Sequence, residues 1–286
     1  MTSLKTDHHY QEVINANIEV HSRTADEYHT EPHFRPENIA KVNEKLGNLA
    51  RQTQAQKMLD LGCGTGFMIN IAKQYVPHID GVDVTQAMLD RVDTSGEANI
   101  RLFNHDTGSF TVEKNAYDLV TAYSFLHHLY DIVPTLKTAY DALKPGGKFY
   151  VDLDPNYYFW AGIDQLDRDG AYDAIVKREI EMVSHIDEQV GKRFNIDFEL
   201  INLAEYGKNV KGGFKAEELD PLLRSVGFQS VELQYYWYIG QGYLINHEQY
   251  SPDKRQEYAE VTEDVLQKLL PLSKGLYKYL GFVATK

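Results

Sequence analysis

Residues 59–67 read LDLGCGTGF. Three glycines fall within five positions, with an apolar run on either side. Glycine weakens regular structure, so its repetition marks a backbone that must turn sharply or come close to something. KMLDL (57–61) reads as a strand and FMINIAKQY (67–75) as a helix, which makes the glycines a strand-to-helix loop. A plain tight turn is one reading of it. A dinucleotide fingerprint, G-x-G-x-x-G/A counted from Gly62, puts Phe67 where close packing wants Gly or Ala. A phosphate loop needs Gly-Lys-Ser/Thr, which does not follow. The spacing that does fit is D-x-G-x-G-x-G, from Asp60 to Gly66.

Working outward, HIDGVDV (78–84), NIRLFN (99–104), YDLVTAY (117–123) and KFYVDLD (148–154) read as strands. Helical patterns lie between them at 86–92 and 132–143, the second closed by KPGGK. The alternation predicts an α/β fold with a doubly wound, Rossmann-like parallel sheet. It stops after Asp154 and resumes with a helix over 215–226, a strand over 228–237 and a last strand over 278–286. Residues 1–54 then form a helical N-terminal cap. Residues 55–286 form the core, with lid insertions at 155–214 and 238–275. Within these additions, 36–50 is a helix presenting Ile39, Val42, Leu46 and Leu49, and 171–190 is a second helix. RFNIDFEL (193–200) alternates like a strand. A helix from Ser251-Pro252 to Leu270 carries Tyr258, Val261, Val265 and Leu269 on one face. Ligands of open α/β sheets bind outside the carboxyl ends of the strands, so the insertions are expected to cover the site.

The bulk properties narrow the function. The 286 residues carry 29 Lys and Arg against 42 Asp and Glu, a formal charge of −13. That balance disfavours a nucleic-acid partner, which needs a basic face. Cys63 is the single cysteine, so a reducing, cytoplasmic setting is expected. The N-terminus shows no signal core and no stretch reads as a membrane span. No metal-ligand spacing stands out, and His8-His9 reads as a solvated terminus.

The motifs of the core, taken in order, resemble the class I S-adenosylmethionine-dependent methyltransferases, of the ubiquinone and menaquinone methyltransferase type. LDLGCGTG (59–66) looks like motif I, GVDVTQAML (81–89) the second strand with its terminal acid, and HDTGSF (105–110) the loop after the third strand. YDLVTAYSFLHHL (117–129) looks like motif IV, ALKPGGKFYVDL (142–153) motif V, and 215–233 the closing helix and strand. The resemblance covers about 140 residues and implies seven strands with an antiparallel last one. It also implies S-adenosylmethionine as cofactor. Gly62, Cys63, Gly64 and Gly66 would let the backbone approach the methionine tail and ribose, with Asp60 bracing the loop or taking the tail amine. Asp83 would take the ribose hydroxyls. Asp106 and Thr107 would meet the adenine, Val84 and Met88 its face, and Ala122 and Tyr123 the tail.

The sulfonium methyl is already activated, so transfer requires in-line positioning and exclusion of water. A hydroxyl or ammonium acceptor gains from a general base. His127, after motif IV, is the candidate, with His128 the structural member of the pair. Tyr28, in the polar stretch 25–36, is expected to close over the tail, and Tyr157, just past a strand end, to face the acceptor. Aromatic clusters at 155–162, 234–243 and 275–282 suit a pocket for an aromatic or amphipathic molecule. The expectation is methyl transfer to an O or N atom of a small molecule, with carbon acceptors left open. Two other readings stay open: a cofactor-binding protein with a cyclase-like or regulatory role, and a protein or RNA methyltransferase. A homodimer is also left open.

Overall fold

The structure, a computed structural model, describes residues 8–286, and all of their side chains except those of 184–186. Residues 1–7 of the expected cap lie outside it. Seven strands form one sheet: β1 Lys57–Leu61, β2 His78–Asp83, β3 Asn99–Asn104, β4 Tyr117–Tyr123, β5 Leu143–Pro155, β6 Ser230–Tyr238 and β7 Tyr277–Thr285. Their order is β3-β2-β1-β4-β5-β7-β6. Pairing is parallel from β3 through to β5. β7 runs antiparallel to both β5 and β6. The strand order reverses between β1 and β4, so the carboxyl ends of these two strands open a crevice.

Side chains alternate between the two faces and each face is covered. Met58, Ile79, Leu119 and Tyr150 pack against Leu46 and Leu49 of α2 (Pro36–Thr53) and Phe67 of α3 (Phe67–Ala72). Leu59, Val82, Val120 and Phe149 pack against Leu136 of α5 (Val133–Ala142) and Leu223 of α9 (Ala216–Val226). Burial on both faces explains why KMLDL and YDLVTAY are nearly continuous apolar runs. A short helix α4 (Gln86–Leu89) follows β2. α5 ends at Ala142, and Leu143 pairs with Tyr117 before the ladder resumes at Lys148. KPGGK is the irregular turn between, with Gly146 at φ +80°.

The additions within 8–54 and 155–214 reach the open edge of the crevice, whereas the expected lid at 238–275 packs through Leu244, Leu266 and Leu270 against Tyr235, Tyr238 and Tyr277. α1 (His8–Thr24) packs on α8 (Phe198–Ala204), with Ala16 and Val20 against Ile201 and Ala204. Two 3-10 turns, Tyr28–Thr30 and Pro32–Phe34, carry the chain back to α2. α6 (Tyr157–Asp164) and α7 (Ala174–Phe194) follow β5, and a π turn at Tyr206–Val210 follows α8.

Three expectations fail locally. Residues 193–200 are not a strand: α7 runs to Phe194, Asn195 turns left-handed at φ 52°, and Asp197 caps α8 by accepting from Glu199 N. The alternation there comes from one helix ending where the next begins. Ile39 is exposed although Val42, Leu46 and Leu49 of the same helix are buried. In α11 (Pro252–Lys268), which follows α10 (Gln241–Ile245), Tyr258, Val261 and Val265 face outward, as does Leu269 just beyond it. α11 docks instead through Ala259, whose carbonyl accepts from Tyr238 Oη at 3.0 Å, and through Leu266.

Candidate active site

At the carboxyl end of β1 the chain turns through Gly62, Gly64 and Gly66 at φ +69°, +51° and +86°. A side chain at Gly62 is excluded twice, by that conformation and by the Phe125 ring, 2.0 Å from where a Cβ would sit. At Gly64 a Cβ would meet only Tyr28, 3.9 Å away, so the backbone there is open to a ligand. Gly62 N and Cys63 N donate to Val82 O at 2.8 and 3.1 Å, which ties the loop to β2. Asp83, ending β2, accepts from Gly64 N at 2.9 Å and Thr85 N at 2.8 Å. Burial pushes its carboxyl up, against those two bonds.

A cavity opens over this loop. Of the residues expected to hold a cofactor, Tyr28, Gly62, Gly64, Asp83, Val84, Asp106, Thr107 and Tyr123 line it. Asp60, Cys63, Gly66, Met88 and Ala122 do not. Asp60 is buried behind the loop, accepting from Thr121 Oγ1 at 2.7 Å, and burial pushes its carboxyl up to about 7. Cys63 packs its sulfur toward Gly81, Gly66 backs onto Val92, and Met88 is buried in α4. Ala122 belongs to the opposite face of β4, among Leu136 and Ala139.

Residues not foreseen close the cavity from above. Tyr10, Asn17 and His21 of α1 line it, as do Phe125 and Tyr130 of the loop after β4. Tyr10 Oη donates to Asp106 Oδ2 at 2.5 Å, and Asn17 Nδ2 donates to His128 O at 3.0 Å. Nothing in the α1 sequence marks these residues, because only tertiary packing brings the helix to the crevice.

A second cavity, of about 360 Å³, adjoins the first. His21, Tyr28, Ser124 and His128 line both. The second is walled by Trp160, Trp237 and Tyr279 and by a charged group from α7 and the π turn. Ser124, Leu153 and Trp237, all in its wall, hold left-handed φ of 50°, 56° and 55°. Such backbone is costly for residues with side chains and concentrates at functional sites.

His127 Nδ1 lies 2.8 Å from Asp154 Oδ1, which also accepts from His127 N at 3.0 Å. Its Nε2 faces Glu205 at 3.6 Å. His128 Nδ1 lies 2.9 Å from the carbonyl of Ala204, which can only accept, so Nδ1 carries the proton and Nε2 keeps its lone pair. Burial lowers both histidines to about 4, and they stay neutral at ordinary pH. Burial works to raise the Glu205 carboxyl, but the Lys208 ammonium outweighs it and the carboxyl is held well below its usual range. His127, His128 and Glu205 stand close enough to share a metal ion. The Lys208 ammonium, 2.9 Å from Glu205 and 3.2 Å from Asp187, already supplies the cation there.

The placement of the expected catalytic residues is therefore mixed. Tyr28 stands at the junction of the cavities, and His127 lines the second. His128, expected to be structural, lines both. Tyr157 lies elsewhere: it lines a separate cavity with Lys211 and Phe214, and the Lys215 ammonium sits 4.4 Å over its ring. Being just past the end of β5 did not suffice, because α6 turns the side chain away.

Residues 59–151 match the family model of a methyltransferase domain. Over these residues the chain carries a methyltransferase domain. Among curated proteins, the ubiquinone biosynthesis O-methyltransferase of Hydrogenovibrio crunogenus is 29% identical over 128 residues, 42% of this chain and 53% of that one. The chain thus spans about half the length of the curated relatives it matches. The fold recurs in solved structures. An S-adenosylmethionine-dependent methyltransferase from Mesorhizobium loti superposes with a TM-score of 0.53 at 16% identity, covering 87% of this chain and 100% of that one. The phosphoethanolamine N-methyltransferase 2 of Haemonchus contortus, in complex with phosphomonomethylethanolamine and S-adenosylhomocysteine, gives 0.56 at 16%, covering 99% and 61%. S-adenosylmethionine is the cofactor of the methyltransferase domain. In the first cavity the open backbone at Gly64 lies beside the Asp83 carboxylate.

Proposed function

We propose that this chain transfers a methyl group from S-adenosylmethionine to an O or N atom of a small molecule held in the second cavity. The observation that carries the reading is the shared wall. Tyr28 and His128 line both cavities, so a donor held in one can meet an acceptor held in the other. Gly62 and Gly64 would take the tail and ribose along the backbone, Asp83 the ribose diol, and Asp106 with Thr107 the adenine. When bound, the cofactor supplies a methyl group activated by a sulfonium. The protein's remaining work is positional. Trp160, Trp237 and Tyr279 would hold the acceptor, and α1, α7 and α8 exclude water. The neutral imidazoles of His127 and His128 would accept a proton from it.

Incubation with methyl-labelled S-adenosylmethionine and a metabolite extract tests this directly. Label appearing in a small product is expected. Cofactor binding without transfer to any fraction would overturn the reading.

A further inference from the structure

The charge of the second cavity bears on the acceptor atom. Its wall holds four carboxylates, Glu27, Glu31, Asp187 and Glu205, against two cations, Arg193 and Lys208. The cations are taken: Arg193 pairs with Glu27, and Lys208 with Glu205 and Asp187. The Glu31 carboxylate has neither a hydrogen bond nor an ion pair among the described residues, and it lines the cavity beside Tyr28 and His33. With the histidines neutral, the cavity is anionic and walled by aromatic rings.

Methyl transfer moves a positive charge. The sulfonium carries it before the reaction and the acceptor gains it after. An amine lone pair forms the new C–N bond as the C–S bond breaks. The electron pair of that bond stays on sulfur, which becomes a neutral thioether, and the nitrogen becomes cationic. Carboxylates around the acceptor favour that charge at every stage, and aromatic faces attract it. A carboxylate or phenolate acceptor would instead bring one more anion into a wall that already has an unpaired one, with no free cation among the described residues lining the cavity to receive it.

Taking the second cavity as the acceptor site, we infer that the acceptor atom is an amine nitrogen and that Glu31 anchors its cation. The amine arrives as an ammonium, held by Glu31 and the rings of Tyr28, Trp160, Trp237 and Tyr279. Before transfer it gives up one proton to expose its lone pair, and His127 and His128, which line the same cavity, are the neutral bases there to receive it. Glu31 stands between the two 3-10 turns, is exposed as a residue and holds no side-chain hydrogen bond or ion pair among the described residues, so its replacement leaves packing intact.

The test uses the full chain with methyl-labelled S-adenosylmethionine and size-matched probes: 2-phenylethylamine and tryptamine against 3-phenylpropionate and 2-phenylethanol. Binding of the same probes to protein loaded with S-adenosylhomocysteine is measured by calorimetry. Label is expected on the amines. Glu31→Gln is expected to raise the amine KM and dissociation constant at least tenfold with cofactor affinity retained, and Glu31→Asp to restore part of the loss. Label on the acid or the alcohol in place of the amines would overturn the inference. So would amine methylation indifferent to Glu31→Gln. Amines that bind through Glu31 without being methylated would overturn the transferase reading and uphold the cation site. Absence of amine binding would overturn the site itself.

Discussion

The backbone N–H of Gly64 donates to Asp83 Oδ2 at 2.9 Å, joining the glycine loop after β1 to the acid that ends β2. With Thr85 N on Oδ1 at 2.8 Å, the carboxylate is aimed before any ligand arrives. The residue lines the first cavity. Asp83→Ala removes the expected ribose acceptor and frees the Gly64 N–H. The cofactor dissociation constant should rise at least tenfold, about 1.4 kcal/mol, by calorimetry. An unchanged constant would remove Asp83 from the cofactor site.

The core was legible because its signals are local. The spacing from Asp60 to Gly66 marks the loop, and Asp83 is reached by counting along one strand–helix–strand unit. Both-face burial makes the parallel strands stand out as apolar runs, and β4 is buried along its whole length. The second cavity was not legible, since its wall comes from β5, β6, β7, the cap and α7–α8, which are distant in sequence. Lys208 sits in a π turn that no short-range pattern announces, and Glu205 immediately precedes it. The pair His127-His128 was visible, but its division of labour was not. Which ring reaches the junction depends on Asp154 and the Ala204 carbonyl, supplied from β5 and α8.

Those two partners separate the histidines experimentally. His127→Ala leaves Asp154, 1% exposed and with Oδ2 already unpartnered, without its imidazole. That variant should lose stability as well as turnover. His128→Asn should lower turnover by roughly a hundredfold with cofactor affinity and unfolding midpoint retained. A wild-type rate in His128→Asn would make the ring at the junction a spacer.

The pH profile follows from burial. Because burial lowers His127 and His128 to about 4, neither titrates near the ordinary histidine pKa. Turnover should show no inflection from these rings around pH 6.5. The histidines' own contribution should be lost only as pH drops toward 4, where protonated imidazoles stop accepting a proton. An inflection near pH 6.5 that vanishes in both His127→Ala and His128→Asn would contradict the burial seen here.

Two glycines with left-handed backbone make a matched pair. A Cβ at Gly62 meets the Phe125 ring, whereas at Gly96, φ +111°, it meets nothing within 4 Å. Gly96→Ala should cost only the conformational strain, about 1 kcal/mol in denaturant unfolding. Gly62→Ala adds a clash with a residue that lines the first cavity, and should cost roughly 2–5 kcal/mol and weaken cofactor binding. Equal losses in the two variants would mean that Phe125 moves aside freely.

Asp60 gives the sharpest test of stability against pH. Burial raises its folded-state pKa to about 7, against an ordinary value near 4 once unfolded. Between those values the native chain binds the extra proton, so this group's contribution is present at low pH and lost as pH rises through 7. Asp60→Asn keeps an oxygen to accept from Thr121 Oγ1 and has no proton to lose. Relative to wild type, the variant should therefore gain about 1–3 kcal/mol on going from pH 5 to pH 8. Urea unfolding of both proteins at the two pH values measures it. A difference that stays constant would mean that Asp60 remains ionised inside the fold, with a counter-charge reaching its free oxygen.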